Sequence, residues 1–235
     1  MASYRQVGRL SSNKVFRILL QQGYIGRFYD NSYRLHGKPA SYYLTTKGIK
    51  LLIDNGIDEK ALSPLSRNKT TSSVFVDHLL EVMQVYLNLR AIYPETFTMF
   101  ARTELGQFDY FPSPNPDIYL QRINSSDETT NDYLLDVFTD PRLFVMRKRI
   151  DAYIKHFQEG YWEAATKDKY PAVLLVCPDS TIEKKVIKYA VRALDSVGEA
   201  DLLFYTTTIQ ALNSSNDLDK LIWTQVFEDE ELVSI

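Results

Sequence analysis

The sequence predicts an α/β (α+β) chain in two parts: a small basic module of helices around one hairpin, then a larger unit with a mixed sheet. Three observations predict it. Residues 1–70 hold 12 Lys/Arg against 4 Asp/Glu, a net +8, whereas residues 71–235 hold 15 against 26, a net −11. From residue 74 onward the patterning runs helix, three strands, helix, strand, helix, strand, an order that layers helices on a sheet. Ala172–Cys177 is apolar at every position, as a central strand covered on both faces must be.

Length and composition narrow the function classes. A chain of 235 residues, 45% apolar and 24% charged, has material for one large domain or two smaller ones. No apolar run reaches the ~20 residues of a membrane helix, and the N-terminus lacks the apolar stretch of a signal peptide. A cytoplasmic protein with no membrane partner is expected. The single cysteine, Cys177, cannot form an intrachain disulfide and rules out a cysteine zinc cage. His36, His78 and His156 are too scattered for a metal motif. Glycine-rich phosphate loops are absent, which removes nucleotide-binding readings.

In residues 1–57, Ser12–Gln22 reads as a helix with Val15, Phe16, Ile18, Leu19 and Leu20 on a broad apolar face. Lys14, Arg17 and Gln21 stand at i, i+3 and i+7, successive steps of three and four, so they share one side of the helix. Gly23 ends the helix. Tyr24–Tyr29 and Ser41–Leu44 read as strands joined by a polar loop carrying Arg34, His36 and Lys38. A last helix, Lys47–Asn55, is capped by Thr45 or Thr46 and closed by Gly56. Residues 58–71, with Ser63-Pro64 and a polar tail, read as a linker.

The strings Gln21-Gln22-Gly23-Tyr24-Ile25-Gly26-Arg27-Phe28 and Tyr42-Tyr43-Leu44-Thr45-Thr46-Lys47-Gly48 resemble winged-helix domains of bacterial DNA-binding proteins. The resemblance implies a winged helix-turn-helix over 1–57, either shortened at its N-terminus or atypical, since only Met1–Leu10 stand where two helices are expected. Ser12–Gln22 would be the recognition helix, presenting Lys14, Arg17 and Gln21 to double-stranded DNA. Arg34 and Lys38 on the wing would reach phosphates or the minor groove.

In residues 72–235, Val74–Ile92 reads as a long, largely buried helix, and Phe97–Thr103, Asp117–Ile123 and Tyr133–Phe138 as strands. The polar turn Asn124–Asn131 makes the last two a hairpin. Asp140-Pro141 signals a helix start. That helix carries Arg147, Lys148, Arg149 and Tyr153. Thr181–Leu194 follows as a helix, Asp201–Thr206 as a strand and Ile222–Phe227 as an edge strand before the acidic Glu228–Glu231. Three acids lie at or near these strands: Glu104 at the end of Phe97–Thr103, Asp117 opening Asp117–Ile123 and Asp136 inside Tyr133–Phe138. Were they to converge, their hard oxygens would suit Mg²⁺ or Mn²⁺, which can activate water against a phosphodiester.

Pro116-Asp117 followed by Asp136 on the next strand resembles the skeleton of the PD-(D/E)XK nuclease fold, a restriction-endonuclease-like core, although Phe138 stands where that family keeps lysine. Taken with Asp77-His78, Arg102-Thr103-Glu104, Asn115-Pro116-Asp117, Leu135-Asp136-Val137 and Lys148-Arg149 with Tyr153, the chain resembles the replication-relaxation family of mobile-element proteins, which includes MOBC-type plasmid relaxases. The resemblance implies DNA binding and metal-dependent nicking at an origin. It places Glu104, Asp117 and Asp136 as metal ligands, Asp117 and Asp136 as catalytic acids, and Lys148 as the cation that replaces the missing lysine. A second reading keeps DNA binding but makes the nuclease-like part catalytically dead. That part would then serve a homodimer or dock other DNA-processing proteins.

Overall fold

The computed structural model describes residues 2–3, 10–29, 33, 40–93, 97–123, 130–140, 142–198, 201–214, 222–226, 232–233 and 235. The chain is α/β, in two compact units, Met1–Gln84 and Val85–Ile235. The division falls inside a helix, not in the 58–71 segment expected to be a linker.

The smaller unit contains β1 (Ala2–Ser3), α1 (Leu10–Gln21), β2 (Ile25–Phe28), β3 (Ser41–Leu44), α2 (Thr46–Asp54) and α3 (Glu59–Leu62). Its three strands pair antiparallel in the order β1-β3-β2. Gly23, at φ 74°, ends α1 in the left-handed conformation that glycine adopts without a Cβ penalty. The segment Leu44–Gly48 fastens this end of α1 to α2. Thr45 Oγ1 donates to the Gly23 carbonyl at 2.6 Å and accepts from the Gly48 amide at 3.2 Å. Lys47 Nζ donates to the Gln22 carbonyl at 2.8 Å. Gly48 admits no side chain, because an added Cβ would overlap the Tyr24 carbonyl oxygen. Phe16 stacks on Tyr42 at 4.4 Å, tying α1 to β3.

The expected linker is ordered, and the reason is local. Asp58 Oδ1 accepts from the Lys60 amide at 3.1 Å and starts α3, whose Leu62 is buried. A 3₁₀ helix over Ser63–Thr70 then packs against β3 and α2. Next comes α4 (Ser73–Ile92).

The larger unit adds β4 (Phe97–Ala101), α5 (Arg102–Leu105), β5 (Ile118–Ile123), β6 (Thr130–Val137), α6 (Leu143–Glu159) and α7 (Tyr161–Thr166). It continues with β7 (Ala172–Cys177), α8 (Ser180–Val197), β8 (Phe204–Thr208), α9 (Ile209–Ser214), β9 (Trp223–Gln225) and β10 (Leu232–Val233). The sheet order is β10-β9-β8-β7-β6-β5-β4. Pairing is antiparallel from β4 to β6, parallel from β6 to β8, and antiparallel again to β10.

On one sheet face Leu134, Val173, Leu175, Cys177 and Phe204 pack with Met146, Ile150, Tyr153 and Ile154 of α6, Trp162 of α7, and Val186 and Ala190 of α8. Along the same strands the alternate residues Leu135, Leu174 and Val176 are also fully buried. Both faces are therefore covered, which is why Ala172–Cys177 is apolar throughout.

Several boundaries differ from expectation. β4 stops at Ala101, and Arg102–Leu105 turn into α5, placing Glu104 on a helix. β8 begins at Phe204, and β9 is not the edge because β10 pairs outside it. The Arg142 backbone, not Asp140, stands at the N-cap of α6. The Asp140 carboxylate accepts from the Arg142 amide at 3.0 Å and from its guanidinium. The 124–129 turn and the acidic 228–231 segment lie outside the described residues. No helix among the described residues is long and apolar enough to cross a membrane.

Burial pushes the Cys177 thiol well above its ordinary range, and the Glu183 and Asp179 carboxylates add to the effect. Iodoacetamide is expected to leave Cys177 unmodified in the folded protein and to label it in denaturant, as read by mass spectrometry. Ready labelling of the native chain would contradict this burial.

Candidate functional site

The register Ile118↔Leu135 places Asp117 opposite Asp136, one step beyond the last β5–β6 pair and on the same sheet face. There the carboxylates substitute for ladder bonds. Asp136 Oδ1 accepts from the Asp117 amide at 3.1 Å, and Asp117 Oδ2 accepts from the Val137 amide at 2.9 Å. Both acids are buried, 6% and 3% exposed. Two of the acids expected from the sequence therefore do come together.

What faces them is a pair of arginines. Arg102, at the start of α5, sets Nη2 3.0 Å from Asp117 Oδ1 and 3.8 Å from Asp136 Oδ1. Its backbone is fixed by donation to the Asp117 carbonyl at 3.1 Å. Arg149, 7% exposed on α6, donates from Nε to Asp136 Oδ2, from Nη1 to the Pro114 carbonyl and from Nη2 to the Tyr153 hydroxyl at 2.8 Å. Tyr153, fully buried, donates its hydroxyl to Asp136 Oδ2 at 2.7 Å, and its ring lies 4.3 Å from the Arg149 guanidinium carbon. All four carboxylate oxygens are engaged, and two negative charges face two positive ones.

The electrostatics follow from burial. Desolvation works to lower the Arg149 pKa, but the neighbouring Asp136 charge, reinforced by Tyr153, the hydrogen bond and Asp117, raises it above its ordinary value. Desolvation also pushes the Tyr153 hydroxyl well up, with Arg149 opposing and Asp136 assisting. Tyr153 thus stays a proton donor, and Arg149 a cation, across the physiological range.

The three-acid metal set does not assemble. Glu104 is exposed, and its Oε2 accepts from the Ala101 amide at 2.7 Å, satisfying the free donor that begins α5. Among the described residues no group of three or more His, Cys, Asp or Glu is placed to hold a metal. The remaining two acids do not fit Mg²⁺ or Mn²⁺ either, because the Arg102 guanidinium lies against both carboxylates where a shared cation would sit. A divalent ion needs those oxygens free. The mutual repulsion expected of converging acids is relieved by guanidinium instead of metal.

Lys148 does not join the cluster. Met146, Ile150, Tyr153 and Ile154 define the inward face of α6; Arg149, four residues before Tyr153, shares it, while Lys148 is exposed. Phe138, where the resemblance to PD-(D/E)XK nucleases implied a lysine, is 7% exposed and packs in the core. The arginines and Tyr153 are the residues that complete the site. The helical i, i+4 spacing of Arg149 and Tyr153 was the available signal for those two, and none marked Arg102.

In the smaller unit Lys14, Arg17 and Gln21, which the spacing puts on one side of α1, are all exposed. Val15 and Ile18, expected to be inward, are 54% and 40% exposed on the same helix. Arg34 and Lys38 lie outside the described residues. No family model, curated protein or solved structure matches this chain.

Proposed function

We propose that this chain is a DNA-binding protein of a plasmid or other mobile element, with a nuclease-like larger unit that does not cut. The observation that carries DNA binding is the exposed Lys14–Arg17–Gln21 stripe on α1, in a segment with a net charge of +8. One helix side offering two cations and an amide can contact phosphates and base edges together. The mobile-element setting rests on the order of the motifs given above. A winged-helix arrangement is supported by the sequence α1, β2–β3 hairpin, α2, with α1 as the reading helix. The non-cutting reading is favoured over metal-dependent nicking by Arg102 and Arg149. They neutralise the acid pair and use its oxygens, so neither a metal-bound water nor a free general base is provided.

Fluorescence anisotropy with labelled duplex DNA tests the proposal. Lys14→Glu with Arg17→Glu is expected to weaken binding about 30-fold or more, at ~1.4 kcal/mol per decade and ~1–3 kcal/mol for each of the two contacts. EDTA should leave wild-type binding unchanged, and supercoiled plasmid with Mn²⁺ should stay intact. Equal affinity of the double variant at moderate salt would remove DNA binding from α1. Nicking by the wild type that EDTA stops would restore the metal-dependent nuclease.

A further inference from the structure

The larger unit belongs to a strongly acidic part of the chain, yet its two outer helices carry a concentration of cations. α8 turns Val186, Ile187, Ala190 and Leu194 into the core, which leaves Lys185, Lys188 and Arg192 exposed along its outward ridge at i, i+3 and i+7. On α6 the same logic exposes Lys148 and Lys155. Between the helices runs an open groove of about 590 Å³ lined by Arg147, Asp151, Lys155, Tyr189, Arg192 and Ser196.

Of the exposed carboxylates on α6 and α8, Asp151 and Glu159 are engaged, while Asp195 lies one turn beyond Arg192 at the end of α8. Asp151 Oδ1 accepts the Tyr189 hydroxyl at 2.7 Å, and the Arg147 guanidinium carbon lies 5.1 Å from the centre of the Tyr189 ring. Glu159 stands 3.7 Å from Lys155. No described carboxylate pairs with Lys185, Lys188 or Arg192. Three unpaired cations thus follow one ridge for ~10 Å at 1.5 Å per residue, beside a groove whose floor tyrosine holds a further arginine.

From this we infer that the α6–α8 face is a second DNA-contacting surface, which binds the phosphate backbone without reading sequence. The inference rests on the DNA-binding reading above and extends it to the larger unit. Charge complementarity selects the partner. A row of long, mobile cations against a net charge of −11 in residues 71–235 is a local reversal of sign that attracts a polyanion. Long cationic side chains on a helix ridge meet phosphate oxygens and carry no sequence information of their own. The face therefore adds salt-dependent affinity and leaves specificity to α1.

The test is the salt dependence of duplex binding by the full chain. Lys185→Gln, Lys188→Gln and Arg192→Gln are combined in one variant; glutamine keeps the helix propensity, and circular dichroism checks the fold. The slope of log Kd against log[NaCl] is expected to flatten by about 2–3, at ~0.9 for each phosphate no longer neutralised. The fall in affinity should be equal for unrelated duplexes. An unchanged slope overturns the inference, while continued loss of binding in Lys14→Glu/Arg17→Glu keeps the α1 reading intact. A flattened slope with no effect of the α1 substitutions supports the inference and sinks the α1 reading. Absence of any wild-type binding removes both. Vesicles of equal phosphatidylserine and phosphatidylcholine serve as the competing polyanion; if the triple variant loses vesicle binding alone, the face is a membrane surface and the inference fails.

Discussion

Asp136→Ala is expected to destabilise the larger unit by about 3–5 kcal/mol, the cost of leaving a buried charge without its partner. The substitution strips Arg149 and Tyr153 of their shared acceptor and the Asp117 amide of its own. At roughly 2–4 °C per kcal/mol for a unit of this size, Tm should fall by about 6–20 °C in differential scanning calorimetry. Combining Asp136→Leu with Arg149→Met removes both charges and should recover most of the loss, because apolar replacement of a whole buried pair is often neutral. Excess EDTA should leave the wild-type melt unchanged. If Asp136→Ala melts like the wild type, the acids are not held in a closed cluster, and the case against a metal centre weakens with it.

Trp162→Ala is expected to cost a similar amount, about 3–5 kcal/mol, through reduced burial and the cavity left behind. Trp162 is 2% exposed, and its ring centre lies 5.5 Å from that of Tyr110, 5.4 Å from Phe111 and 5.7 Å from Tyr119. Its Nε1 donates to the Lys169 carbonyl at 3.1 Å, holding the chain where it enters β7. Trp162→Phe keeps most of the ring packing but drops that bond, so it should lose only about 1–2 kcal/mol. Guanidinium unfolding followed by the fluorescence of the other tryptophan, Trp223, gives both values. Equal losses in the two variants would show that the hydrogen bond, not the packing, dominates.

How much of this was legible follows from which interactions are local. Ala172–Cys177 matched its expected bounds because a strand buried on both faces leaves an uninterrupted apolar signature. The β5–β6 pair was legible for a similar reason: a polar turn separates two strand-like runs. The convergence of Asp117 and Asp136 followed from that pairing. Their partners did not, because a charge on a helix declares its sign but not its direction. Lys148 and Arg149 are adjacent in sequence yet point different ways from α6, and only the phase set by Met146, Ile150 and Tyr153 separates them. Glu104 was read as a strand-end acid because Ala101 is no recognised cap. Its role depends on the amide of Ala101, which almost any residue there would supply. The 58–71 segment looked like a linker from its polar composition, whereas the Asp58 cap and the burial of Leu62 gave it structure.

The arginine-closed acid pair also determines which alignment of β5 on β6 the chain accepts. Side chains alternate between sheet faces, so a slip of one residue would send Asp117 to the face opposite Asp136. Arg102 would then face one acid instead of two, and a carboxylate would be left in an apolar layer without a counterion, at a cost of several kcal/mol. Leu134, Leu135 and the other apolar residues of these strands cannot discriminate in this way, since both faces of the sheet are buried and either would accept them. The ionic cluster thus carries a task that hydrophobic burial leaves open. In the observed register both buried carboxylates are answered, and the Gln121–Asp132 hydrogen bond farther along the same strands favours the same pairing.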